Sequence, residues 1–533
     1  MSARSAPSRW RPVLVLVALL VLVAPLAACG GSTLGAGTAV GPVPSPELRQ
    51  FYAQRLDWSR CGRFDCTYLE VPLDYSRPTG RTARLAVLRS RAGRPDRRIG
   101  SLVVNPGGPG GSGTQLAAGL ADQIRNTPLG QRFDLVGFDP RGIGSSEPLI
   151  KCSTGRERDD DRLYRDTDDA APPGETPAEA AERARARDAH YEEETKGDVA
   201  KCVERSGADL LANVGTRDVA RDMDVLRSAL GDTKLTYLGY SYGTRLGYTY
   251  AEAFPGNVRA LVLDGALDPN QDPVDESVAQ AGAFQRAFEV FAAWCAQQPS
   301  CPLGADAADP RAATANYRTL VLPLLRQPVE LRDGRKLAYG DAQTAVIKAM
   351  YQRELWVPLR HGLEELVSGK GEVLMRLADA YYERSGHGEY SNLQDALRAV
   401  RCVDDQAITD PAVALEESRR TLAVAPFEDD GQGPSAARDA CAFWPVPPTS
   451  RAHQPNVAGL PPVVVVSTTG DPATPYQAGV ELAKALHGRL ISVQGNQHGA
   501  SLSGNQCVDG AVTRYLTDLE LPPDGIRCTL DPS

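Results

Sequence analysis

Over residues 67–73 and again over 83–90, apolar and polar positions alternate along the chain. That is the pattern of antiparallel strands with one covered face. The apolar residues then gather into short unbroken runs. These are Ser101-Leu-Val-Val-Asn105, Asp134-Leu-Val-Gly-Phe-Asp139, Leu235-Thr-Tyr-Leu238, Ala260-Leu-Val-Leu-Asp264, Pro462-Val-Val-Val-Val-Ser467 and Leu490-Ile-Ser-Val493. Such runs suit strands buried on both faces, as in a parallel sheet. Amphipathic helical stretches lie between them, Val219–Leu230 stopped by Gly231 and Gln477–Leu486 stopped near Gly488. The order strand–helix–strand predicts a doubly wound α/β sheet with helices on both faces.

Two segments break the alternation. Residues 153–201, between Cys152 and Cys202, are charged and Ala-rich, and read as a helical surface excursion. Residues 271–455 are long and mainly helical (Ser277–Ala293, Asp341–Tyr351, Glu354–Ser368, Val373–Glu383) and fall between two core strands. They read as a helical cap over the sheet. No internal repeat is evident.

Composition adds boundaries. With 533 residues, 42% of them hydrophobic and 23% charged, the chain can bury a large core. A net charge of -9 argues against nucleic acid as a partner, because phosphate binding needs a basic face.

The N-terminus reads as an address. Arg4, Arg9 and Arg11 precede the apolar run Val13–Leu26, which ends in Leu26-Ala27-Ala28-Cys29 before Gly30-Gly31-Ser32. This is the three-part form of a signal peptide, and its end resembles the lipobox of bacterial lipoproteins. The resemblance implies cleavage before Cys29, lipidation of its sulfur, and a protein exported to the outer face of the cell membrane or released from it. A plain secretory signal is the blander alternative. The run is short for a permanent membrane helix. Without Cys29 ten cysteines remain, an even number suited to disulfides in an exported chain. The simplest pairing is sequential: Cys61–Cys66, Cys152–Cys202, Cys295–Cys301, Cys402–Cys441, Cys507–Cys528. No Cys-x-x-Cys or His-Glu-x-x-His supports a zinc site. The expected parts are a signal peptide (1–28), a tether (29–50), a first core part (51–270), the cap (271–455) and a second core part (456–533).

The chemistry centres on Gly239-Tyr-Ser-Tyr-Gly243, between the strand 235–238 and a helical stretch 244–253. Ser241 thus stands on a strand-to-helix turn, with small residues two places either side, as a nucleophile elbow requires. Asn105-Pro-Gly-Gly-Pro-Gly-Gly-Ser-Gly113 follows the strand 101–104 and frees backbone N–H groups for close approach. Acyl transfer needs such donors at the developing oxyanion. The amides of Gly108 and Tyr242 are the expected pair. A dinucleotide-type phosphate loop fits less well, since the Gly-x-Gly-x-x-Gly spacing is missing. Of six histidines, His498 follows the last long apolar run in a Gly-flanked loop, and Asp471 follows the run before it. The order Ser241, Asp471, His498 is the one expected of this sheet type. Asp264 and Asp268 are runner-up acids. Asp471 also reads as a helix cap, and Thr474 as a supporting hydroxyl in its turn.

Together, Asn105–Gly113, Asp139-Pro-Arg-Gly-Ile-Gly-Ser-Ser146, Gly239–Gly243, Asp264-Gly265, Gly470-Asp-Pro-Ala-Thr-Pro475 and His498-Gly499 resemble the tripeptidyl-aminopeptidase branch of the α/β hydrolases. This branch is related to the prolyl aminopeptidases and known from exported actinobacterial enzymes. The resemblance spans about residues 50–533. It implies an α/β-hydrolase core, a mostly parallel sheet of the eight-stranded type, and cleavage of peptides near a free N-terminus without a cofactor. It also implies cap acids on the substrate amine, with Asp404 and Asp405 as candidates; a monomer is expected. Pro106 stands where the prolyl enzymes begin their motif with His, so strict proline specificity is not implied. A lipase or carboxylesterase with the same triad, and a non-catalytic binding protein on the same scaffold, remain open at this point.

Overall fold

All six apolar runs become strands of one sheet. The computed structural model describes residues 41, 43–164 and 175–530. The signal peptide, Cys29 and most of the tether lie outside the described residues. In chain order the strands are β1 (Ser59–Cys61), β2 (Phe64–Pro72), β3 (Thr82–Ser90), β4 (Gly100–Asn105), β5 (Phe133–Phe138), β6 (Leu235–Tyr240), β7 (Val258–Asp264), β8 (Val329–Glu330), β9 (Lys336–Leu337), β10 (Val464–Thr468), β11 (Arg489–Gln494) and β12 (Arg527–Thr529). Ten of them form a sheet in the order β1-β2-β3-β5-β4-β6-β7-β10-β11-β12, while β8 and β9 make a separate hairpin. β1, β2, β3 and β5 pair antiparallel, and every pairing from β5 to β12 is parallel.

The sheet therefore exceeds the expected eight-stranded type. The added edges, β1 and β12, are three residues each and too short to carry an alternation of their own. Cys61–Cys66 staples β1 to β2, and Cys507–Cys528 ties β12 to the last helix. All five disulfides follow the sequential pairing.

The central strands bury nearly every residue, β4 and β5 along their whole length, as expected of a sheet covered on both faces. Because β4, β6, β7, β10 and β11 run the same way, their C-terminal ends share one edge. Ligands of open α/β sheets bind at that edge. Asn105, Ser241, Asp264, Asp471 and His498 all lie there or just beyond it.

Between β7 and β10 the chain builds the helical cap around its own hydrophobic core. Phe288 lies between Tyr317 and Phe427 there, stacked on Phe427 at 5.1 Å between ring centroids. The 153–201 excursion forms helices Gly155–Tyr164 and Pro177–Ser206. It is less a free surface than its composition suggests, because ion pairs stitch it to the cap. Arg158 meets Asp395 at 2.7 Å, Arg162 meets Asp341 and Asp379 at 2.8 and 2.7 Å, Arg384 meets Asp159 at 2.8 Å, and Arg438 meets Glu192 at 2.6 Å. Those partners lie hundreds of residues away in the chain, so local charge density could not reveal them.

Candidate active site

Ser241 sits between β6 and helix Tyr242–Ala253 with φ 55° and ψ −128°. A non-glycine residue adopts such a conformation only where its surroundings impose it. Here the Ser241 N–H donates to the Asp264 carbonyl at 2.8 Å. The Ser241 carbonyl accepts from the Thr244 N–H at 2.8 Å and from its hydroxyl at 2.7 Å. The turn is so tight that a Cβ on Gly239 would lie 2.4 Å from the Gly243 carbonyl oxygen. That clash is the physical reason for glycine two places before the serine.

The loop after β4 crosses directly over the elbow. Gly107 has φ +89°, and a Cβ there would fall 2.8 Å from Ser241 Cβ and 2.9 Å from Tyr242 N. Asn105 Oδ1 accepts the Gly107 N–H at 2.9 Å. Asp139, from the Asp-Pro-Arg-Gly motif, braces the far end, with Oδ1 accepting the Ser112 hydroxyl at 2.7 Å and the Thr114 N–H at 3.0 Å. Among the described residues, the N–H groups of Gly108 and Tyr242 donate to no protein acceptor. Tyr242 opens its helix, where N–H groups lack intrahelical partners. The Tyr242 N–H directly follows the serine, and Gly108 follows the glycine that crosses over it; free backbone donors are what an oxyanion requires.

Asp471 is buried in the turn after β10. Its Oδ1 accepts the N–H groups of Ala473 and Thr474, both at 2.9 Å. The Thr474 hydroxyl donates to Oδ2 at 3.0 Å and lies 3.2 Å from His498 Nδ1. Nδ1 itself lies 2.9 and 3.0 Å from the two Asp471 oxygens. Asp471 does not cap the next helix, whose N-cap is Pro475. Burial works against charging the His498 imidazole, but Asp471 more than offsets it, so the pKa is raised above the ordinary 6.5. Asp264 adds a smaller push in the same direction.

Ser241 and His498 share a corner, Asp264–Gly265. The elbow hangs on the Asp264 carbonyl, and a Cβ on Gly265 would lie 3.1 Å from His498 Cε1. The serine hydroxyl and the imidazole make no direct hydrogen bond in this state; such bonds commonly tighten only with substrate bound. The cap reaches the same point. The His498 N–H donates to the Tyr351 carbonyl at 3.0 Å, and the two rings meet edge-on at 5.4 Å.

The runner-up acids do other work. Asp264 Oδ2 accepts the N–H groups of Ala500 and Ser501, and Asp268 accepts that of Asn270. Asp404 and Asp405, the expected amine-binding acids, each have a partner within the protein. Asp404 Oδ1 accepts the Thr216 N–H at 2.8 Å, and Oδ2 accepts the Thr216 hydroxyl at 2.5 Å. Burial pushes its carboxyl up to about 6, with Arg245 opposing. Asp405 is paired with Arg245 at 2.6 Å. Thr216 opens helix Thr216–Ala229, and Arg245 stands on the helix that follows the serine. Asp405 also borders a cavity of about 710 Å³ that neither Ser241 nor His498 lines.

Sequence reasoning gave no role to Asp139 or Tyr351, and gave the Asp264 carboxylate only that of a runner-up acid. Asp139 was visible only as a motif residue at a strand end, and Tyr351 carried no functional signal.

Family models match two parts of the chain, one described as alpha/beta hydrolase fold over residues 100–342 and one as TAP-like protein over 429–528. Serine protease Hip1 of Mycobacterium tuberculosis H37Rv is 44% identical, over 96% of this chain and 98% of that protein. Carboxylesterase B of the same strain is 46% identical, over 96% and 95%. Tripeptidyl aminopeptidase of Streptomyces lividans is 32% identical, over 86% and 82%.

Proposed function

Because the chain belongs to the α/β-hydrolase family and carries its TAP-like segment, we propose that it is an exported serine peptidase that cleaves peptides near a free N-terminus. The observation that carries this reading is the contact of His498 Nδ1 with Asp471, at the corner that holds Ser241.

In this reading Ser241 Oγ attacks the scissile carbonyl while His498 Nε2 takes its proton. Asp471 fixes the tautomer with the proton on Nδ1 and stabilises the imidazolium, and Thr474 holds the carboxylate in line. The oxyanion forms against the amides of Gly108 and Tyr242. His498 then returns its proton to the leaving amine. Water, deprotonated by the same imidazole, releases the acyl group from Ser241. No step calls for a cofactor.

The test is Ser241→Ala with an unblocked tripeptide anilide. The variant is expected to melt like the parent and to lose turnover, together with labelling by a fluorophosphonate. Undiminished turnover would end the assignment. A carboxylesterase is the second reading, favoured by the 46% identity to a relative of that name. An N-terminally acetylated peptide ester separates the two, since an aminopeptidase rejects it and an esterase hydrolyses it. The names of the Hip1 and tripeptidyl-aminopeptidase relatives support the peptidase.

The reading includes location. Cleavage before Cys29 and lipidation there would hold the enzyme at the outer face of the membrane. Radiolabelled palmitate incorporation that disappears in Cys29→Ala is the expected result.

A further inference from the structure

The parallel strands start at one edge of the sheet, where β4 begins at Gly100 and β5 at Phe133, and end at the edge that carries Ser241 and His498. Six residues of strand span about 20 Å, so the two edges face opposite ways. The starting edge carries a groove of about 440 Å³ lined by Arg60, Arg63, Arg89, Arg91 and Arg125. Three carboxylates answer these five guanidinium groups. Asp65 pairs with Arg60, Arg89 and Arg91, and Asp122 with Arg63 and Arg125. Asp134 lies 4.0 Å from Arg89 and is also held by Arg98. Positive charge is left over. The Arg60, Arg63, Arg91 and Arg125 side chains are 68, 47, 66 and 59% exposed. Residues 55–135 hold thirteen arginines, no lysine and seven acids, in a chain whose net charge is -9.

The N-terminal segment arrives at this same edge. Gly41 lies against the Arg227 guanidinium, which donates to the Asp232 carbonyl at 2.8 Å. The Asp232 carboxylate lies 3.9 Å from Arg98, beside the groove. Upstream of Gly41 the sequence holds the apolar run 13–26 and Cys29. The basic groove and Gly41 therefore lie at one edge of the sheet, and the catalytic residues lie at the other.

We propose that this groove is a docking surface for the anionic phospholipid headgroups of a membrane, and that it holds the enzyme with its catalytic edge turned outward. Guanidinium groups match phosphate oxygens with paired hydrogen bonds, and basic side chains near an anionic leaflet are attracted within a Debye length. The membrane location proposed above supplies the sidedness; the charge excess of the groove stands apart from it.

The full chain is mixed with vesicles of phosphatidylcholine alone and with vesicles that also contain phosphatidylglycerol. It is compared with the variant Arg60→Gln/Arg63→Gln/Arg91→Gln/Arg125→Gln. The N-terminal segment, Arg4, Arg9 and Arg11 included, is the same in both proteins, so the difference in gain on phosphatidylglycerol isolates the groove. The parent should gain about tenfold or more in partitioning and lose the gain as salt rises. The variant should gain at least about threefold less than the parent, while hydrolysing a soluble peptide anilide and melting as the parent does. If the fourfold variant melts early, Arg60→Gln and Arg125→Gln singly should each remove part of the gain. Equal gains in parent and variants overturn the proposal. So does loss of the parent's gain to millimolar inorganic phosphate at constant ionic strength, which would mark a site for a single soluble anion.

Discussion

The backbone N–H of Ser501 donates to the carboxylate of Asp264 at 2.5 Å, while the carbonyl of Asp264 takes the N–H of Ser241 at 2.8 Å. One residue at the end of β7 thus spaces the nucleophile's turn from the loop that carries the base. The Tyr240 hydroxyl adds a further tie on this loop, donating to the Ser501 carbonyl at 2.8 Å. His498 is followed by Gly499 at φ +74°, and its own N–H is held by Tyr351 from the cap.

Removing the Asp264 carboxylate should therefore misaim His498 rather than weaken substrate binding. Asp264→Ala is expected to lower kcat about a hundredfold with KM changed less than about twofold, because misplacement by about 1 Å costs that much. Asp264→Asn keeps an acceptor for Ala500 and Ser501 and should restore most of kcat. Steady-state kinetics of both variants check this, and a loss confined to KM would count against the spacing role.

The base should titrate above its ordinary range. His498 must be neutral to accept the serine proton, and Asp471 raises its pKa above 6.5. The acid limb of kcat/KM should accordingly fall at higher pH than a free imidazole would set. Asp471→Asn should move that limb toward lower pH while reducing the plateau about 10³–10⁴-fold. A pH–rate profile of parent and variant supplies the test.

Gly107 leaves no room for a side chain. Gly107→Ala forces a Cβ to 2.8 Å from Ser241 Cβ, against backbone that cannot yield cheaply. Displacing the oxyanion loop should cost about 10²–10³-fold in kcat, the usual loss when such a donor is removed. Fluorophosphonate labelling should slow in parallel, and an unchanged labelling rate would argue against a loop seated on the serine.

Glu428 gives a stability test away from the site. Burial alone pushes its carboxyl from 4.5 up to about 7. Between those values the unfolded chain has released a proton that the folded chain still holds, so stability falls as pH rises through that window. Glu428→Gln should leave stability near pH 4 unchanged. Near pH 8 it should add about 1–2 kcal/mol, below the full value of such a shift because the carboxyl keeps part of its hydration. Urea melts at the two pH values decide it.

The sequence by itself determined the sheet, its direction and the order in which the catalytic candidates appear. Runs such as 101–105 and 260–264 suit only fully buried strands, and the glycines at 107, 239 and 243 mark places where backbones touch. The simplest disulfide pairing, neighbours in cysteine order, is the one the fold adopts. Only the tertiary structure decided between carboxylates of equal chemistry. Asp471 and Asp264 both follow core strands, yet one meets His498 Nδ1 and the other meets the amides beyond it. Nothing in the sequence around Asp404 and Asp405 reveals their partners Thr216 and Arg245, which lie far off in the chain. The physical reason is range. Strand burial and tight turns are set by neighbouring residues and leave a periodic trace. The partner of a charge is set by folding distant segments together and leaves none.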